Sequence, residues 1–343
     1  MHTRNAWVDN AKGIGIILVV YGHVARGVAS ASHSVNLELF KLVDSIIYSF
    51  HMPLFFFLAG LFFHATLHKR GKMGLVLNKV DTILYPYVLW SLIQGTVEVA
   101  LSHYTNGNTT IGDVLSLIWH PRAQFWFLYA LFLVFTLCTL IYAHVRQSYF
   151  LPMAMLFALC YLAERLFPHS TILNYMLNNT VFFALGIWFK EVVVFFEDRR
   201  AWLTTIFGVL FLGGQYLFHI TFGLRYTDEG MPSLLLAVIS IFFVVMLAMC
   251  LNLEKIKWLQ LLGASSMTIY LMHILVGSGT RVILQKVFGI ESIEAYLLLG
   301  TTLGLVLPLL AQIAIRRCNW KVLLVPPDWM SASHTCQRAE TNG

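Results

Sequence analysis

The sequence predicts an all-α polytopic membrane protein with about ten transmembrane helices, and three observations carry this prediction. Of the 343 residues, 58% are hydrophobic and only 12% are charged, whereas about a quarter of the residues in a soluble domain carry charge. The mean hydropathy is +0.72, and apolar runs about 20 residues long, enough to cross a hydrocarbon core, recur along the chain. The gaps between the runs hold at most about 25 residues, too few for a soluble domain.

Ten such runs define the predicted spans. In chain order they are 13–31, 43–64, 81–101, 125–145, 149–166, 172–190, 202–220, 233–251, 259–279 and 295–315. Together they form a membrane domain over residues 9–317, followed by a short cytoplasmic tail, 318–343, that we expect to be disordered. The five cysteines have neither paired nor metal-type spacing and are expected to be reduced thiols.

The distribution of lysine and arginine predicts that both termini are cytoplasmic. With the N-terminus inside, the cytoplasmic segments hold 16 of the 23 basic residues. The other seven lie in outer loops or outer span ends: Arg26, Lys41, Arg122, Arg165, Arg225, Arg281 and Lys286. This bias explains the net charge of +6 without a nucleic-acid partner.

The first span carries two ionisable residues, Lys12 and His23, where lipid disfavours them. They are eleven residues apart, which is about three helical turns, so both side chains share one face and lie about 16 Å apart along the axis. Lys12 then marks the inner membrane boundary, and His23 lies inside the bilayer. An ionisable group at that depth costs several kcal/mol unless it faces a protein interior or a wet cavity. His23 is therefore a candidate site residue, with a hydrogen-bonded core histidine as the alternative.

Two further spans carry a histidine at a similar depth. His51 precedes Pro53, which removes a backbone donor and kinks the second span, and His273 lies deep in the ninth. The three histidines fall in one layer slightly outside the midplane, about 16 to 21 Å from the inner boundary. One buried histidine is readily explained by packing, whereas three at a matched depth indicate a polar site between helices.

Other candidate residues lie toward the membrane surfaces. The inner loop 68–79 is basic and contains glycine, so it suits an anionic ligand or, as the simpler alternative, anionic lipid headgroups. Trp126 and Tyr129 begin the fourth span on the outer side, as an aromatic belt or as a platform for a sugar ring. His64 and His68 have the i, i+4 spacing of metal ligands, but no HExxH arrangement accompanies them, and we predict no metal site.

With these residues in view, the sequence resembles the acyltransferase-3 family of integral membrane O-acyltransferases. The matching segments are DNAKGIGIILVVYGH (9–23), FHMPLFFFLAG (50–60), TILYPYVLW (82–90), FWFL (125–128) and SMTIYLMH (266–273). They occur in the family's order over nearly the whole chain, and the first two are the specific ones. Many members carry arginine eleven residues before the first-span histidine. Lys12 keeps that charge but loses the planar fork of arginine.

The resemblance implies transfer of an acetyl or similar short acyl group from cytoplasmic acetyl-coenzyme A, or another acyl-coenzyme A, to a sugar hydroxyl. The acceptor is an exported or cell-envelope polysaccharide or its lipid-linked oligosaccharide precursor. The implied location is the bacterial inner membrane, among lipids and in association with polysaccharide assembly machinery, with no permanently bound cofactor. The candidate residues form three groups: catalytic His23, His51 and His273; donor-binding Lys12 and Lys79; and acceptor-binding Trp126 and Tyr129.

General chemistry agrees with this implication. Acyl transfer to an alcohol needs a base, hydrogen-bond donors for the developing oxyanion, and exclusion of water from the thioester. Histidine is a suitable base because its ordinary pKa is near 6.5. Direct transfer and an acyl-histidine intermediate both remain open. The alternatives from other classes are a secondary transporter with an intramembrane histidine site and a membrane scaffold without catalysis. Neither the internal repeats nor the paired interrupted helices common in transporters occur in the sequence.

Overall fold

The structure is a computed structural model, and it describes residues 6–31, 36–102, 109–164, 171–251 and 256–334. Within these ranges the chain is almost wholly helical and contains no β-strand, which confirms the predicted class. The α-helices are α1 (Ala6–Ala31), α2 (Leu37–Tyr48), α3 (His51–Gly60), α4 (Phe63–Lys79), α5 (Tyr85–Ala100), α6 (Ile111–Leu115), α7 (Trp126–Tyr142), α8 (Phe150–Ala163), α9 (Thr171–Asp198), α10 (Arg200–Tyr216), α11 (Met231–Cys250), α12 (Lys257–Ala264), α13 (Ser266–Lys286) and α14 (Ile293–Arg317).

Eight helical segments in the described part of the chain are long and apolar enough to cross a membrane. They are Ala6–Ala31, Leu37–Gly60, Ile111–Tyr142, Ile172–Asp198, Arg200–Thr221, Met231–Cys250, Ser266–Lys286 and Ile293–Arg317. The other two predicted spans, 81–101 and 149–166, are not among these eight. In the first, the π-helix Val80–Leu84 continues directly into α5, and the second is the shorter apolar stretch Gln147–Ala163. Residues 165 and 166 lie outside the described ranges.

The predicted ninth span, 259–279, begins too early. The apolar run is divided at Ser265 into α12 and α13, and only α13 has the length of a span. The reason is a close approach between α12 and α1, because a side chain at Gly263 would overlap the backbone carbonyl of Asp9. Packing against α1 therefore fixes α12 as a separate short helix, and His273 lies two turns into α13.

The predicted loop 68–79 is helical instead. It belongs to α4, which is interrupted only at Gly71, whose φ of 68° lies in the left-handed region that favours glycine. Lysine, arginine, leucine and methionine are good helix formers, and this intrinsic preference outweighs the polar character of the segment. The basic residues around Gly71 are exposed on this broken helix.

The chain divides into two compact units, and the first consists of Met1–Leu58 and Phe189–Leu310. Its centre is α1, which packs against α2, α11, α12 and α13. Gly13 and Gly15 allow Leu259 and Phe55 to approach the α1 backbone closely. A second part of the core consists of the rings of Phe57, Phe189 and Phe242, whose centroids lie 5.2 to 6.2 Å apart.

The second unit consists of Ala59–Trp188 and Ala311–Gly343. Here α4 packs against α7, and the buried ring of Phe63 lies edge-on to Phe183, 5.4 Å away, and near Phe135, 6.1 Å away. Gly60 is in close contact with the backbone of Phe183, so a larger residue there would separate the two segments. This apolar core positions α5 and the start of α7.

The tail was expected to be disordered, and this is wrong for residues 318–334. Asp81, which is 6% exposed, accepts hydrogen bonds from Ser331 Oγ (2.8 Å), Ala332 N (2.8 Å), Ser333 N (3.1 Å) and Ser333 Oγ (2.5 Å). Tyr85 also donates to the carbonyl of Val322, 2.7 Å away. These bonds attach the segment to the π-helix and α5, and residues 335–343 lie outside the described part of the chain.

Candidate active site

Helix α1 brings His23 to the edge of a cavity. His23 is half-buried, and together with Arg26 it lines a cavity of about 380 Å³ between α1, α13 and α14. Gly22, immediately before it, has the ring of Tyr48 packed against it: a Cβ there would lie 3.0 Å from Tyr48 Cε2. The glycine therefore allows a residue of α2 to lie directly beside His23.

The interruption between α2 and α3 positions His51. Pro53 has no N–H to donate to the carbonyl of Ser49, and a turn at Ser49 and Phe50 separates the two helices, although Ser49 itself keeps helical dihedrals. His51 is fully buried, and its Nδ1 lies 2.8 Å from the carbonyl oxygen of Ile47. A carbonyl only accepts, so Nδ1 carries the proton and Nε2 of the neutral ring keeps its lone pair. That Nε2 is buried without a hydrogen-bond partner among the described residues.

His273 has the same hydrogen-bonding pattern on α13. It is fully buried, and its Nδ1 lies 2.8 Å from the carbonyl oxygen of Tyr270 and 3.2 Å from that of Ile269. Its Nε2 is likewise buried and without a partner in the part of the chain that the structure describes. Two imidazoles thus each present a bare basic nitrogen, and His273 also lines the cavity beside His23.

The three predicted histidines come together around one tyrosine. The ring centroids of His23 and His273 are 5.1 Å apart, and those of Tyr48 lie 4.5 Å from His51 and 6.2 Å from His23. The Tyr48 hydroxyl is buried without a partner among the described residues. Sequence reasoning missed Tyr48 because a tyrosine in an apolar span is ordinary. Its spacing of three residues from His51 was the available signal.

Arg26 is the second residue that the sequence argument did not assign to the site. Its guanidinium donates to both carboxylate oxygens of Asp44, at 2.6 and 2.8 Å, and to the hydroxyl of Tyr226 at 2.9 Å. Its Cζ also lies 3.3 Å from the centroid of the Tyr48 ring. Arg26 follows His23 by three residues on the same helical face, a placement that could have identified it. Its contacts hold Tyr48 in place beside the histidines.

The two lysines predicted to bind the donor lie in different units. Lys12 is half-buried on α1, eleven residues before His23, as the helical spacing predicts. Lys79 ends α4, and its Nζ lies 4.1 Å from the centroid of the Phe135 ring, a cation–π contact. These observations assign no ligand to either lysine, so binding of the donor by Lys12 and Lys79 stays a prediction.

The predicted acceptor-binding aromatics belong to a ring cluster in the second unit. Trp126 stacks on Tyr175 with centroids 5.6 Å apart, and Tyr129 lies 5.7 Å from Tyr87. A polar network that sequence reasoning missed lies on the neighbouring elements: Arg122 donates to Glu98 (3.0 Å), Gln94 donates to Glu98 (2.8 Å), and Gln124 donates to Gln94 (2.6 Å). Aromatic faces with a few amide and carboxylate groups are typical of small-molecule sites, and the role of this cluster stays a prediction.

The described residues contain no group of three or more histidines, cysteines or carboxylates that could hold a metal ion. His64 and His68 lie 3.0 Å apart through their Nε2 atoms, so they contact each other as the i, i+4 spacing predicts. The described site residues offer imidazole, phenol and guanidinium groups.

Comparison with known proteins gives a family and several relatives. The profile of the family described as an acyltransferase domain matches residues 5–315. Nodulation protein NolL of Sinorhizobium fredii is 28% identical over 195 residues, 56% of this chain and 50% of that protein, and NolL of Mesorhizobium japonicum is 25% identical over 195 residues, 56% and 49%. Inner membrane protein YcfT of Escherichia coli is 23% identical over 305 residues, 80% of each. The matched part of the chain spans about half the length of the nodulation proteins. No solved structure matches.

Proposed function

The chain belongs to the acyltransferase-3 family of membrane O-acyltransferases, and on this premise we propose that it transfers an acetyl or similar short acyl group from cytoplasmic acyl-coenzyme A to a sugar hydroxyl. The acceptor is an exported or cell-envelope polysaccharide or its lipid-linked precursor. The observation that supports this best is the pairing of His23 with His273 in the wall of a cavity, with a bare Nε2 on His273. A ligand in that cavity reaches two imidazoles.

His23 is the proposed general base. Its Nε2 or Nδ1 removes the proton from the acceptor hydroxyl, and the oxygen attacks the thioester carbonyl. The tetrahedral intermediate collapses with cleavage of the carbon–sulfur bond, and the imidazolium returns the proton to the departing thiolate. His51 and His273 orient His23 or contact the acceptor and the thioester. In the alternative route His23 attacks the thioester and expels the coenzyme A thiolate, which takes the proton from the other imidazole nitrogen. The sugar hydroxyl then attacks the acyl-histidine, and its proton passes to the departing imidazole.

The donor is proposed to bind through its phosphates to Lys12, Lys79 and the basic helix around Gly71. Lys12→Ala should weaken acyl-coenzyme A binding at low salt and make the remaining binding less sensitive to salt. Binding that is unchanged at low salt would favour the alternative, in which these lysines meet lipid headgroups. Trp126 and Tyr129 are the proposed platform for an acceptor sugar. Trp126→Ala should then raise the KM for the acceptor. An unchanged KM would favour the alternative, in which the two rings belong to an interfacial aromatic belt.

The location that suits this activity is the bacterial inner membrane, as the name of the relative YcfT supports. The donor is cytoplasmic and the acceptor is exported, so the enzyme connects the two sides of that membrane. Contact with polysaccharide assembly machinery would then deliver the acceptor.

The test is acyl transfer by purified protein in lipid nanodiscs, with labelled acetyl-coenzyme A and surface polysaccharide from cells that lack the protein. His23→Ala should lower the rate by about 10²- to 10⁴-fold, the usual contribution of a general base, at unchanged thermal stability. His219→Gln, which removes another buried histidine of the same unit, is the matched control. Mass spectrometry of rapidly quenched enzyme detects an acyl-histidine if it forms. If the wild type transfers no acyl group to any fraction of the polysaccharide, the proposed function is wrong. If His23→Ala keeps a near-normal rate, the general base is His51 instead.

A further inference from the structure

We infer that residues 320–330, which follow the last span, form an interfacial segment: Trp320 and Trp329 insert among the lipids at the membrane surface, and the neighbouring basic residues bind anionic lipid headgroups. The inference is independent of the proposed function, because it concerns a surface of the second unit and not the histidine site.

The end of α14 sets the level at which this segment begins. Helix α14 has 25 residues and is therefore about 37 Å long, more than the hydrocarbon core of about 30 Å. Its last turn carries Arg316 and Arg317, which are both exposed, and basic residues at the end of a span are typical of the membrane boundary. The residues that follow thus begin at a membrane surface, which the predicted topology makes the cytoplasmic one.

The chain turns at this level. Asn319 has a φ of 58°, in the left-handed region that asparagine tolerates better than most residues. The backbone N–H of Trp320 donates to the carbonyl of Ile315 at 2.9 Å, and that of Asn319 donates to the carbonyl of Arg316 at 3.4 Å. This pair of bonds is a Schellman motif, which ends α14. Trp320 therefore begins a segment that leaves the axis of the helix.

One side of the interfacial segment is attached to the second unit. The Tyr85 hydroxyl donates to the carbonyl of Val322, and Trp90 Nε1 donates to the carbonyl of Leu323, each at 2.7 Å. The residues after the segment bond to Asp81. Because the segment is held within and just beyond its length, its exposed side chains have a fixed direction away from the unit.

These exposed side chains are large and apolar. They are Trp320 (60% exposed), Val322 (47%), Val325 (43%), Trp329 (78%) and Met330 (50%). Apolar side chains clustered on a surface mark an interaction site. Lipid is the partner that fits, since the segment continues directly from a span and tryptophan is enriched where an apolar ring and a wet N–H meet, at the headgroup level.

The charges beside the segment complement anionic lipids. Arg316, Arg317 and Lys321 are exposed, and Asp328 is the one acidic residue among residues 316–330. Three basic residues against one acidic residue leave an excess of two positive charges. Basic clusters immediately next to a span attract the negative surface of the cytoplasmic leaflet. Apolar insertion and headgroup binding then act on the same segment.

The first experiment locates the two tryptophans by fluorescence quenching. The protein is placed in nanodiscs of phosphatidylcholine brominated near the headgroup, and its quenching is compared with that by acrylamide in the water. The chain has nine tryptophans, so each contribution is read from the difference between the wild type and a variant. Trp320→Phe and Trp329→Phe should each lower the fraction of fluorescence that brominated lipid quenches. Trp7→Phe is the control, because it removes a tryptophan that is only 8% exposed, and it should not lower this fraction.

Two results of this experiment overturn the inference. If the two variants lower the fraction quenched by acrylamide and not the fraction quenched by lipid, the side chains face water. If they lower neither fraction, protein covers the side chains, and the partner in these nanodiscs is a second copy of the chain.

The second experiment tests the headgroups by hydrogen–deuterium exchange. The amides of Leu324 and Val325 are hydrogen-bonded to the carbonyl of Lys321, so their exchange reports opening of the segment. Phosphatidylglycerol in place of phosphatidylcholine should slow this exchange by about fivefold for each basic residue that binds. Lys321→Gln should remove about fivefold of the slowing, whereas Lys286→Gln, at an exposed position of α13, should remove none. Equal exchange in the two lipids overturns the assignment of anionic headgroups.

Discussion

Removal of the Asp81 carboxylate should release the C-terminal segment from the second unit. Four hydrogen bonds from residues 331–333 reach this carboxylate, and each bond to a charged group contributes about 1.5–3 kcal/mol, or roughly 6–12 kcal/mol before costs. Ordering the backbone of 331–334 opposes this by roughly 4–8 kcal/mol. The midpoints of these ranges, roughly 9 and 6 kcal/mol, differ by about 3 kcal/mol, so we take the net docking free energy as about 2–4 kcal/mol. Because water solvates the released segment, Asp81→Ala loses at most this amount.

The assay is hydrogen–deuterium exchange of the backbone amides of Ala332 and Ser333. A loss of about 2–4 kcal/mol raises the opening equilibrium about 30- to 900-fold, and exchange should accelerate by that factor while the core of α7 is unaffected. Asp81→Asn should give a smaller acceleration, since one oxygen remains as an acceptor. The control is Asp113→Asn, which changes a carboxylate of the same unit that accepts hydrogen bonds from Thr110. Unchanged exchange in Asp81→Ala would refute the reasoning, because the carboxylate would then contribute nothing to docking.

Three further predictions concern the first unit and the topology. Gly22→Ala should displace Tyr48, because Tyr48 Cε2 would lie 3.0 Å from the new Cβ. Acyl transfer should then fall at least tenfold with little change in donor binding. Normal activity would mean that Tyr48 has no positioning role. Asp44→Asn should lower the free energy of unfolding by about 1–3 kcal/mol, as a partly buried charge-assisted pair with Arg26 implies, and a double-mutant cycle measures the coupling. Reporter fusions at Gly343 and within residues 102–124 should report cytoplasm and periplasm respectively, and a periplasmic C-terminus would show that a span is miscounted.

The meeting of three histidines was predictable from the sequence because the membrane limits where an ionisable group can point. His23, His51 and His273 each had to face protein or water, and a shared depth made a common location the simplest solution. The contacts of Tyr48 and Arg26 were not predictable in the same way. Tyrosine and arginine are common near membrane boundaries, and only the close approach at Gly22 brings Tyr48 beside the imidazoles.

The boundaries of helices were harder to predict than their existence. Gly263, Ser265 and Ser266 are the only local signals of a boundary in this apolar run, and the close packing of Gly263 against α1, a contact far away in sequence, accompanies the division. The C-terminal segment was misjudged for the same reason. A polar segment rich in serine resembles a disordered tail until its partner is known, and that partner, Asp81, lies about 250 residues earlier.

The hydrogen bond from His51 to Ile47 has a consequence for natural variation at this position. The ring donates to a carbonyl in the last turn of α2, so it does at this break what a capping residue does at the end of a helix. Replacement of His51 therefore alters the folding of the interruption and the supply of a basic nitrogen together. Asparagine is the informative exception, because its side-chain amide can donate to Ile47 as Nδ1 does and offers no base in place of Nε2. A chain with asparagine here should keep the helical break and lose only the nitrogen lone pair. A relative with asparagine at this position would therefore keep the fold and lack this base.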